Sequence, residues 1–404
     1  MTKKKNIMYC EGNTDGTVGG SFYSLLFLTK GLDKSKYNPI VVFHNHHSLI
    51  PEYEKAGVKT LILLQFKPKA LHIDNDYLKL FNSIARVIQK IINLIGFLVV
   101  SSFKLKKLLN EYEIDLVHLN NSILRNNNWI IAAYLANIPC ITHERGINNY
   151  YPRIPKYLST KLNAIISISN SVTETLVSNG IQKSKIVTIH NGIDPYEVIS
   201  KVSDEDILEK LGLNKVKNLI GIIGNIREWK GQIVAVRAMR KIVEIYPETV
   251  CLLIGDTAKE DGYYEDQLHS LIKELGLESN IIFTGYVKNV PDYLNILQIV
   301  LHTSIDPEPF GRVLIEAMSL SKPLIAANDG AIPEIIENGK SGLTFTPGDH
   351  DHLAELVIQL IKDKQYADSL GKGGYDRLVD NFHIKVNVDK TQLLYDKILS
   401  HESG

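Results

Sequence analysis

Short apolar runs of strand length alternate with segments whose apolar residues recur at helical spacing, and this alternation occurs twice along the chain. Such a pattern is typical of parallel sheets whose strands are joined by crossover helices. A segment rich in turn residues, 190–195, separates the two halves with an Asn-Gly and an Asp-Pro pair. The 404 residues also exceed what one compact core usually holds, so the sequence predicts two domains. The predicted strands lie at residues 6–10, 38–44, 115–119, 138–143, 164–169 and 186–190 in the first half, and at 219–224, 250–254, 280–283, 299–302 and 323–326 in the second.

These halves predict an α/β chain in three parts. A doubly wound, Rossmann-like domain is expected over residues 1–194, and a second over 195–382. Residues 383–404 follow, with helical spacing up to residue 400. Because doubly wound sheets bind ligands beyond the carboxyl ends of their strands, we expect the two domains to face a central cleft.

The composition argues against several classes of protein. Lys and Arg number 45 and Asp and Glu number 45, and this zero formal charge does not suit a dedicated nucleic-acid binder. Cys10, Cys140 and Cys251 lack metal-binding or redox spacing, which indicates buried residues in a reducing compartment. The basic residues 3–5 are not followed by a secretory signal, and no run reaches the roughly 20 consecutive apolar residues that span a bilayer. We therefore expect a cytoplasmic protein, with peripheral contact at the inner membrane face as an open alternative.

The densest group of candidate site residues lies at 308–318, where Glu308 and Glu316 are separated by seven residues. Pro309 suits the first position of a helix, which would place Glu308 at the helix mouth and Glu316 about two turns in. Carboxylates accept several hydrogen bonds from sugar hydroxyls, and the free amides of a helix start favour phosphate. The alternative is that both glutamates are ordinary charges on a helix face.

A second group, 224–231, follows a predicted strand and opens a helix. Gly224 lets the backbone approach a phosphate, and Arg227 and Lys230 carry the charges that neutralise one. The alternative is a solvated helix start with ordinary surface charges.

These two groups, together with residues 330–334 and 338–343, resemble the retaining GT-B glycosyltransferases of family 4. The resemblance implies a GT-B fold whose C-terminal helix packs back toward the N-terminal domain, with residues 1–194 on the acceptor side and residues 195–382 on the donor side. It implies that Arg227 and Lys230 stabilise a departing diphosphate as its negative charge grows. It implies that Glu308 contacts the donor sugar, that Glu316 contacts the nucleotide ribose, and that the loop 284–287 reads the base with its backbone. The family usually has arginine directly after the first glycine; this chain has Asn225 there, so we expect Arg227 to supply that charge. The residues predicted to bind the donor are Gly19, Gly20, Gly224, Arg227, Lys230, Val287, Glu308, Phe310, Gly311, Arg312 and Glu316.

The first half contributes a glycine-rich loop at 16–21 and a histidine at the end of a predicted strand. In the resembling family such a loop packs against the donor phosphate or the acceptor; the alternative is a tight turn between strand and helix. His143 resembles the residue near the hydroxyls of the transferred sugar, although a lone histidine can also be structural. The predicted catalytic residues are thus Glu308, His143, Arg227 and Lys230. His118 is expected to pack or to support the acceptor side.

Two further features bear on metals and membranes. The strings at 74–76, 204–206 and 349–351 read Asp-x-Asp, but each lies in a polar stretch and is expected to cap a helix or line a solvated loop. We therefore predict no metal and no cofactor. Residues 87–107 are apolar and then basic; the sequence favours a buried crossover helix, with contact to an anionic membrane surface as the alternative.

The predicted function is that of a metal-independent, retaining glycosyltransferase. The resemblance implies transfer from a nucleotide diphosphate sugar, taken as a UDP-sugar, to a glycan or lipid-linked acceptor in cell-surface polysaccharide biosynthesis. No nucleic-acid partner is expected. The alternatives are a non-catalytic, nucleotide-sugar-binding subunit of another glycosyltransferase and a nucleotide-sugar epimerase. A dinucleotide-binding oxidoreductase ranks last, because no Gly-x-Gly-x-x-Gly follows the first strand.

Overall fold

A computed structural model describes residues 3–12, 19–64 and 79–400. The chain divides into two compact units. The first unit comprises the described residues of Met1–Ile168, Val172–Ile189 and Val388–Gly404, and the second comprises Ser169–Ser171 and His190–Asn387. Each unit holds one sheet whose strands are all parallel, as the alternating pattern predicts. The domain limits proposed from the sequence stay predictions.

The sheet of the first unit has seven strands in the order β3-β2-β1-β4-β5-β6-β7. Its central strand β1 is buried on both faces, since four consecutive side chains, from Ile7 to Cys10, are fully inaccessible. Continuous apolar runs are expected where helices cover both faces of a parallel sheet. The strands are β1 Lys5–Cys10, β2 Tyr37–Phe43, β3 Lys59–Ile62, β4 Leu116–Leu119, β5 Cys140–Glu144, β6 Ala164–Ser167 and β7 Ile186–Thr188.

Helices connect these strands, and two of them continue into one another. A π-helical stretch, Gly96–Val100, joins α3 to α4 in one continuous helix, and the part of this helix from Ala85 to Glu111 has 27 residues. The helices are α1 Gly20–Gly31, α2 Ile50–Lys55, α3 Lys79–Ile95, α4 Ser101–Glu111, α5 Asn127–Ala136, α6 Arg153–Ser159 and α7 Asn170–Ser178.

The prediction that residues 87–100 form a buried crossover helix is wrong. Apolar side chains over this stretch, including Val87, Ile91 and Ile95, are half exposed. The helix Ala85–Glu111 is also long and apolar enough to cross a membrane by length and composition. The search for uninterrupted apolar runs did not reveal this, because polar residues such as Lys90 and Asn93 interrupt the apolar stretch.

The sheet of the second unit has six strands in the order β10-β9-β8-β11-β12-β13. Apolar residues of these strands and of the helices beside them form a single buried cluster that includes Ile220, Leu253, Leu301 and Ile325. The strands are β8 Asn218–Ile223, β9 Thr249–Ile254, β10 Ile281–Gly285, β11 Ile299–His302, β12 Leu324–Ala327 and β13 Leu343–Phe345. The helices are α8 Asp204–Leu211, α9 Gln232–Ile245, α10 Gly262–Leu275, α11 Val290–Ile296, α12 Arg312–Ser319, α13 Ile332–Ile335, α14 His350–Lys362, α15 Lys364–Arg377 and α16 Ile384–Ser400.

Candidate functional site

Each sheet has one place where the strand order reverses. In the second unit β8 has β9 on one side and β11 on the other, so the chain leaves β8 and β11 in opposite directions. In the first unit β1 lies between β2 and β4 in the same way. Such a switch point opens a crevice at the carboxyl ends of the strands, where α/β sheets bind their ligands. Lys230 and Glu308 follow the two strands at the switch point of the second unit, whereas Val287 follows the outermost strand β10 and His143 lies on β5, one strand away from the switch point of the first unit.

A buried ion pair occupies the switch point of the second unit. The Lys230 ammonium lies 2.5 Å from Oε2 of Glu308, and the two side chains are 19% and 11% exposed. Nε2 of His302, at the end of β11, lies 3.2 Å from the same oxygen. The Ser304 hydroxyl donates to this oxygen over 3.5 Å. The ammonium also stacks 4.1 Å from the centre of the Trp229 ring. Lys230, His302 and Ser304 all contact the same carboxylate oxygen, Oε2, and among the described residues no donor reaches Oε1.

These neighbours keep the Glu308 carboxylate ionised. Burial alone raises the pKa of Glu308, but the hydrogen bond with His302 and the charge of Lys230 outweigh it and lower the pKa to about 2. The carboxylate is therefore negatively charged at neutral pH. With Oε1 available, it can accept hydrogen bonds from the hydroxyl groups of a sugar.

The backbone around Lys230 is fixed by a glycine. Lys230 ends a 3-10 turn, Glu228–Lys230, and Gly231 follows with φ +64. A Cβ at Gly231 would lie 2.1 Å from the carbonyl oxygen of Thr303, so only glycine fits this close approach. The Thr303 hydroxyl in turn donates to the Lys230 carbonyl over 3.0 Å. The segments after β8 and β11 are thereby held together, which positions the ion pair.

The helix that carries Glu316 starts later than predicted. Pro309 is not its first residue, because Gly311 adopts φ +83 and α12 begins only at Arg312. Glu308 therefore lies in the loop before the helix, and Glu316 lies in its second turn. The prediction that the helix begins at Pro309, with Glu308 directly before it, is therefore wrong, because the helix begins four residues after Glu308.

Glu316 forms an ion pair within α12. The guanidinium of Arg312, one turn earlier, lies 2.9 Å from Oε1 of Glu316. Desolvation raises the pKa of Glu316, and the charge of Arg312 opposes this effect. Both side chains are about one-fifth exposed, so the pair is accessible to a ligand hydroxyl.

The predicted segment 330–334 supports Glu308 from behind. Gly330 has φ +60, and a Cβ there would lie 2.4 Å from the carbonyl oxygen of Glu308 and 2.5 Å from its nitrogen. The amide of Ala331 donates to that carbonyl over 2.9 Å. Further along, Glu334 lies 2.8 Å from Nε2 of His190 and accepts two backbone amides at the start of α7. The segment thus fixes the Glu308 backbone and the turn at 190–195.

Three neighbouring strands end at glycines. Gly224, Gly255 and Gly285 follow or close β8, β9 and β10, and all three have positive φ. A Cβ at Gly255 would lie 2.1 Å from the carbonyl oxygen of Gly224. This edge of the sheet therefore presents backbone rather than side chains, which suits close contact with a nucleotide. Val287 lies just beyond it, in the loop that follows β10.

Two predicted donor-binding residues are engaged with the protein itself. Nε of Arg227 lies 3.2 Å from Oδ2 of Asp261, and its guanidinium lies 3.7 Å from Glu260. A phosphate at Arg227 would compete with these carboxylates. The ring of Phe310 is buried in an aromatic group with His190 and Phe382, so any contact with a donor would come from its backbone.

At the switch point of the first unit, a buried carboxylate binds two amides. Glu11, directly after β1, accepts hydrogen bonds from the side chains of Asn120 and Asn121, directly after β4. Arg145, after β5, donates to the Asn120 carbonyl over 2.9 Å and to its side-chain oxygen over 2.7 Å. Side chains from three adjacent strand ends thus form one connected polar group.

His143 belongs to a buried chain of hydrogen bonds. Nε2 of His118 lies 2.6 Å from Nδ1 of His143, Nδ1 of His118 contacts the Tyr395 hydroxyl, and Tyr395 lies 2.9 Å from the Tyr9 hydroxyl. Burial lowers the pKa of His118 to about 3 and that of His143 well below its ordinary value. Both rings are neutral at pH 7, so each carries one N–H. The direction in which the protons point along this series of hydrogen bonds therefore decides whether Nε2 of His143 is a donor or an acceptor.

Burial shifts the pKa of the neighbouring Glu144 in the opposite direction. Burial raises its pKa to about 7, although the Ile123 amide and the Tyr151 hydroxyl stabilise the carboxylate. Glu144 therefore titrates near neutrality, beside a histidine that does not.

The glycine-rich loop of the first unit lies mostly outside the described residues, which resume at Gly19. Gly19 has φ −112 and open space around its Cα, and Gly20 begins α1. Their contact with a donor phosphate stays a prediction.

The two Asp-x-Asp strings within the described residues belong to helix starts, as predicted. Residues 204–206 form the first turn of α8, which Ser203 caps, and Asp349 caps α14. The string at 74–76 lies outside the described residues. Over 3–12, 19–64 and 79–400, no group of three or more His, Cys, Asp or Glu residues is placed to hold a metal ion.

Sequence reasoning missed several residues of these groups, and four of them show why. His302 ends a buried strand and reads as a core residue, and Tyr395 is one of several residues on a long helix. Asp261 pairs with Arg227 from 34 positions away, so no local spacing indicates it. Glu11 carries the one available signal, a carboxylate directly after an apolar strand.

Two family models match most of the chain. Residues 203–377 match the glycosyl transferases group 1 model, and residues 18–197 match the glycosyltransferase family 4 model. A curated relative, N-acetyl-alpha-D-glucosaminyl L-malate synthase from Bacillus anthracis, is 29% identical over 54% of this chain and 55% of its own length. The lipopolysaccharide core biosynthesis mannosyltransferase LpsB from Rhizobium meliloti is 24% identical over 60% of this chain and 68% of its own. The chain spans about half the length of the first curated relatives it matches.

Solved structures agree on the fold. HepE from Anabaena, solved with UDP and glucose, superposes with a TM-score of 0.79 at 22% identity, over 97% of this chain and all of that one. The two matching models, the two parallel sheets and this superposition agree, and the chain belongs to the GT-B glycosyltransferases of family 4, the glycosyl transferases group 1.

Proposed function

We propose that this protein is a retaining glycosyltransferase that moves a sugar from a UDP-sugar to a glycan or lipid-linked acceptor. One observation carries the proposal. The Glu308 carboxylate is held ionised by Lys230 and His302 through one oxygen, while the other can receive a sugar hydroxyl. The edge formed by Gly224, Gly255 and Gly285 offers backbone to a nucleotide in the same unit. HepE, solved with UDP and glucose, supports this choice of donor.

The residues of this site suggest a division of work. Lys230 would stabilise the diphosphate as the bond between the anomeric carbon and the phosphate oxygen breaks. Glu308 would orient the sugar, and the pair of Arg312 and Glu316 would hold the ribose. The acceptor oxygen would bond to the anomeric carbon on the face that the diphosphate leaves, and its proton would pass to the departing phosphate. His143 would steady the hydroxyls of the sugar. In this route the protein supplies positioning and charge, and no covalent nucleophile is needed.

The setting of the reaction is part of the proposal. We infer that catalysis needs neither metal nor cofactor, because Lys230 can supply the charge that a metal ion gives other transferases. The mannosyltransferase LpsB serves lipopolysaccharide core biosynthesis, which supports a role in making a cell-surface polysaccharide. We propose that this role is cytoplasmic. The comparisons give no support to a non-catalytic subunit or an epimerase.

The test is a donor panel with product analysis. Purified protein is incubated with UDP-glucose, UDP-galactose, UDP-N-acetylglucosamine and GDP-mannose, with sugar and lipid-linked acceptors and with or without EDTA. We expect acceptor-dependent release of UDP from one UDP-sugar, unchanged by EDTA, and a product whose anomeric proton coupling matches that of the donor. Inverted configuration would overturn retention, loss of turnover in EDTA would overturn metal independence, and an epimerised UDP-sugar would overturn transfer.

A further inference from the structure

We propose that the helix Ala85–Glu111 lies in the surface of an anionic lipid bilayer, parallel to the membrane plane, and holds the first unit against it. This helix, called the surface helix below, belongs to no part of the candidate site. The proposal rests on its exposure, the distribution of its polar residues and its charge, and does not depend on the proposed reaction.

The surface helix exposes apolar side chains that a folded protein normally buries. Nine large apolar residues are between 46% and 57% exposed. A contiguous apolar surface of this kind marks an interaction site. The nine residues are Val87, Ile88, Ile91, Ile92, Leu94, Ile95, Val99, Val100 and Phe103.

Polar residues along the same helix favour an orientation in the membrane plane. Arg86, Gln89, Lys90 and Asn93 follow one another at spacings of three, one and three, and they form a polar stripe. Isoleucines at 88, 91, 92 and 95 occupy the rest of the circumference. A helix that spans a bilayer is apolar all round, whereas a helix with a charged stripe rests at the interface.

The C-terminal half of the surface helix is tied to the unit, which argues against a spanning helix. Leu105 and Leu109 are buried. The Ser102 hydroxyl donates to the Asn128 carbonyl over 2.9 Å, and the Asn128 amide donates to the Ser101 hydroxyl over 3.0 Å. A helix packed in this way over its last two to three turns cannot also cross a hydrocarbon layer.

Charge identifies the kind of surface. Over Ala85–Glu111 there are five basic residues and one acidic residue, a net charge of 5 − 1 = +4, although the whole chain has zero formal charge. Anionic headgroups attract such a cluster, and long lysine side chains can reach them from a helix sunk at the interface. A neutral protein partner would not require this excess. The basic residues are Arg86, Lys90, Lys104, Lys106 and Lys107.

Co-sedimentation of the full-length protein with vesicles tests the proposal. Vesicles of phosphatidylcholine alone are compared with vesicles containing 30% phosphatidylglycerol, a composition chosen as about that of an anionic membrane. We expect at least about tenfold tighter binding to the anionic vesicles, weakening as NaCl rises from about 50 to about 300 mM. Equal binding to both vesicle types, or no binding to either at low salt, would overturn the proposal.

Two variants separate the surface helix from other causes. The double variant Ile91→Asp, Ile95→Asp should lower vesicle binding at least about tenfold, because it puts charge into the apolar face. Ile245→Asp changes an isoleucine of similar exposure, 58%, on the other unit and should bind like the wild type. Circular dichroism melts confirm that each variant folds. If the double variant binds vesicles normally, the proposal fails. It also fails if the wild type dimerises without lipid and the double variant does not, since the face would then join two copies, or if alkaline carbonate leaves the protein in the membrane.

Discussion

The substitution Glu308→Gln should destabilise the protein in a way that depends on pH. The pKa of Glu308 is lowered from 4.5 to about 2 by its neighbours in the folded chain. An acid whose pKa is lower in the folded chain than in the unfolded chain stabilises the fold at pH values above its unfolded pKa. This stabilisation is lost as the pH falls through the folded pKa. A shift of about 2.5 units at about 1.36 kcal/mol per unit gives roughly 3 kcal/mol at pH 7. The glutamine also leaves the Lys230 ammonium without its counter-charge.

Urea unfolding of both proteins at pH 7, 4 and 3 measures this effect. We expect the difference in unfolding free energy to fall by roughly 1 kcal/mol between pH 7 and 4, and by roughly 2 kcal/mol between pH 7 and 3. Glu316→Gln is the matched control. Because the pKa of Glu316 is raised in the folded chain, its ionised form is disfavoured there. The loss of unfolding free energy caused by Glu316→Gln should therefore not increase as the pH rises. A Glu308→Gln difference that is constant from pH 7 to 3 would refute the reasoning.

Three further changes test other contacts. Asp261→Asn should raise UDP affinity a few-fold by calorimetry, because it frees Arg227; unchanged or weaker binding would exclude Arg227 from the phosphate site. Gly330→Ala should lower the unfolding free energy by about 1–3 kcal/mol, since its Cβ meets the Glu308 backbone; an unchanged urea midpoint would contradict this. Tyr395→Phe should lower kcat with little change in KM and alter the histidine nitrogen shifts of the same unit in NMR spectra; unaltered shifts would show that the hydroxyl does not set the tautomer.

Much of the fold could be predicted from the sequence because central parallel strands are buried on both faces. The runs at 6–10 and 250–254 are apolar without interruption, and both are strands. The two missed strands, Lys59–Ile62 and Leu343–Phe345, are the outermost of their sheets. Lys59–Ile62 has no fully buried residue and Leu343–Phe345 is only three residues long, so neither has the long buried run that reveals a central strand.

The site was partly predictable for the same reason. Lys230 and Glu308 each follow a strand, and parallel strands bring residues 78 positions apart to 2.5 Å. The start of α12 could not be predicted, because the left-handed conformation of Gly311 depends on the tertiary contacts around it. The exposure of the helix Ala85–Glu111 was missed as well, since an apolar helix on a surface and one in a core have similar composition.

The most direct test of the proposed donor site is titration calorimetry of UDP with the wild type and with Lys230→Ala. Lys241→Ala is the control, because Lys241 is half exposed and pairs with Asp351. A charge-assisted hydrogen bond contributes about 1.5–3 kcal/mol, so Lys230→Ala should weaken UDP binding roughly 10- to 100-fold while the control binds normally. UDP binding of equal strength in folded Lys230→Ala, or no UDP binding by the wild type, would contradict the assignment of this site to a UDP-sugar.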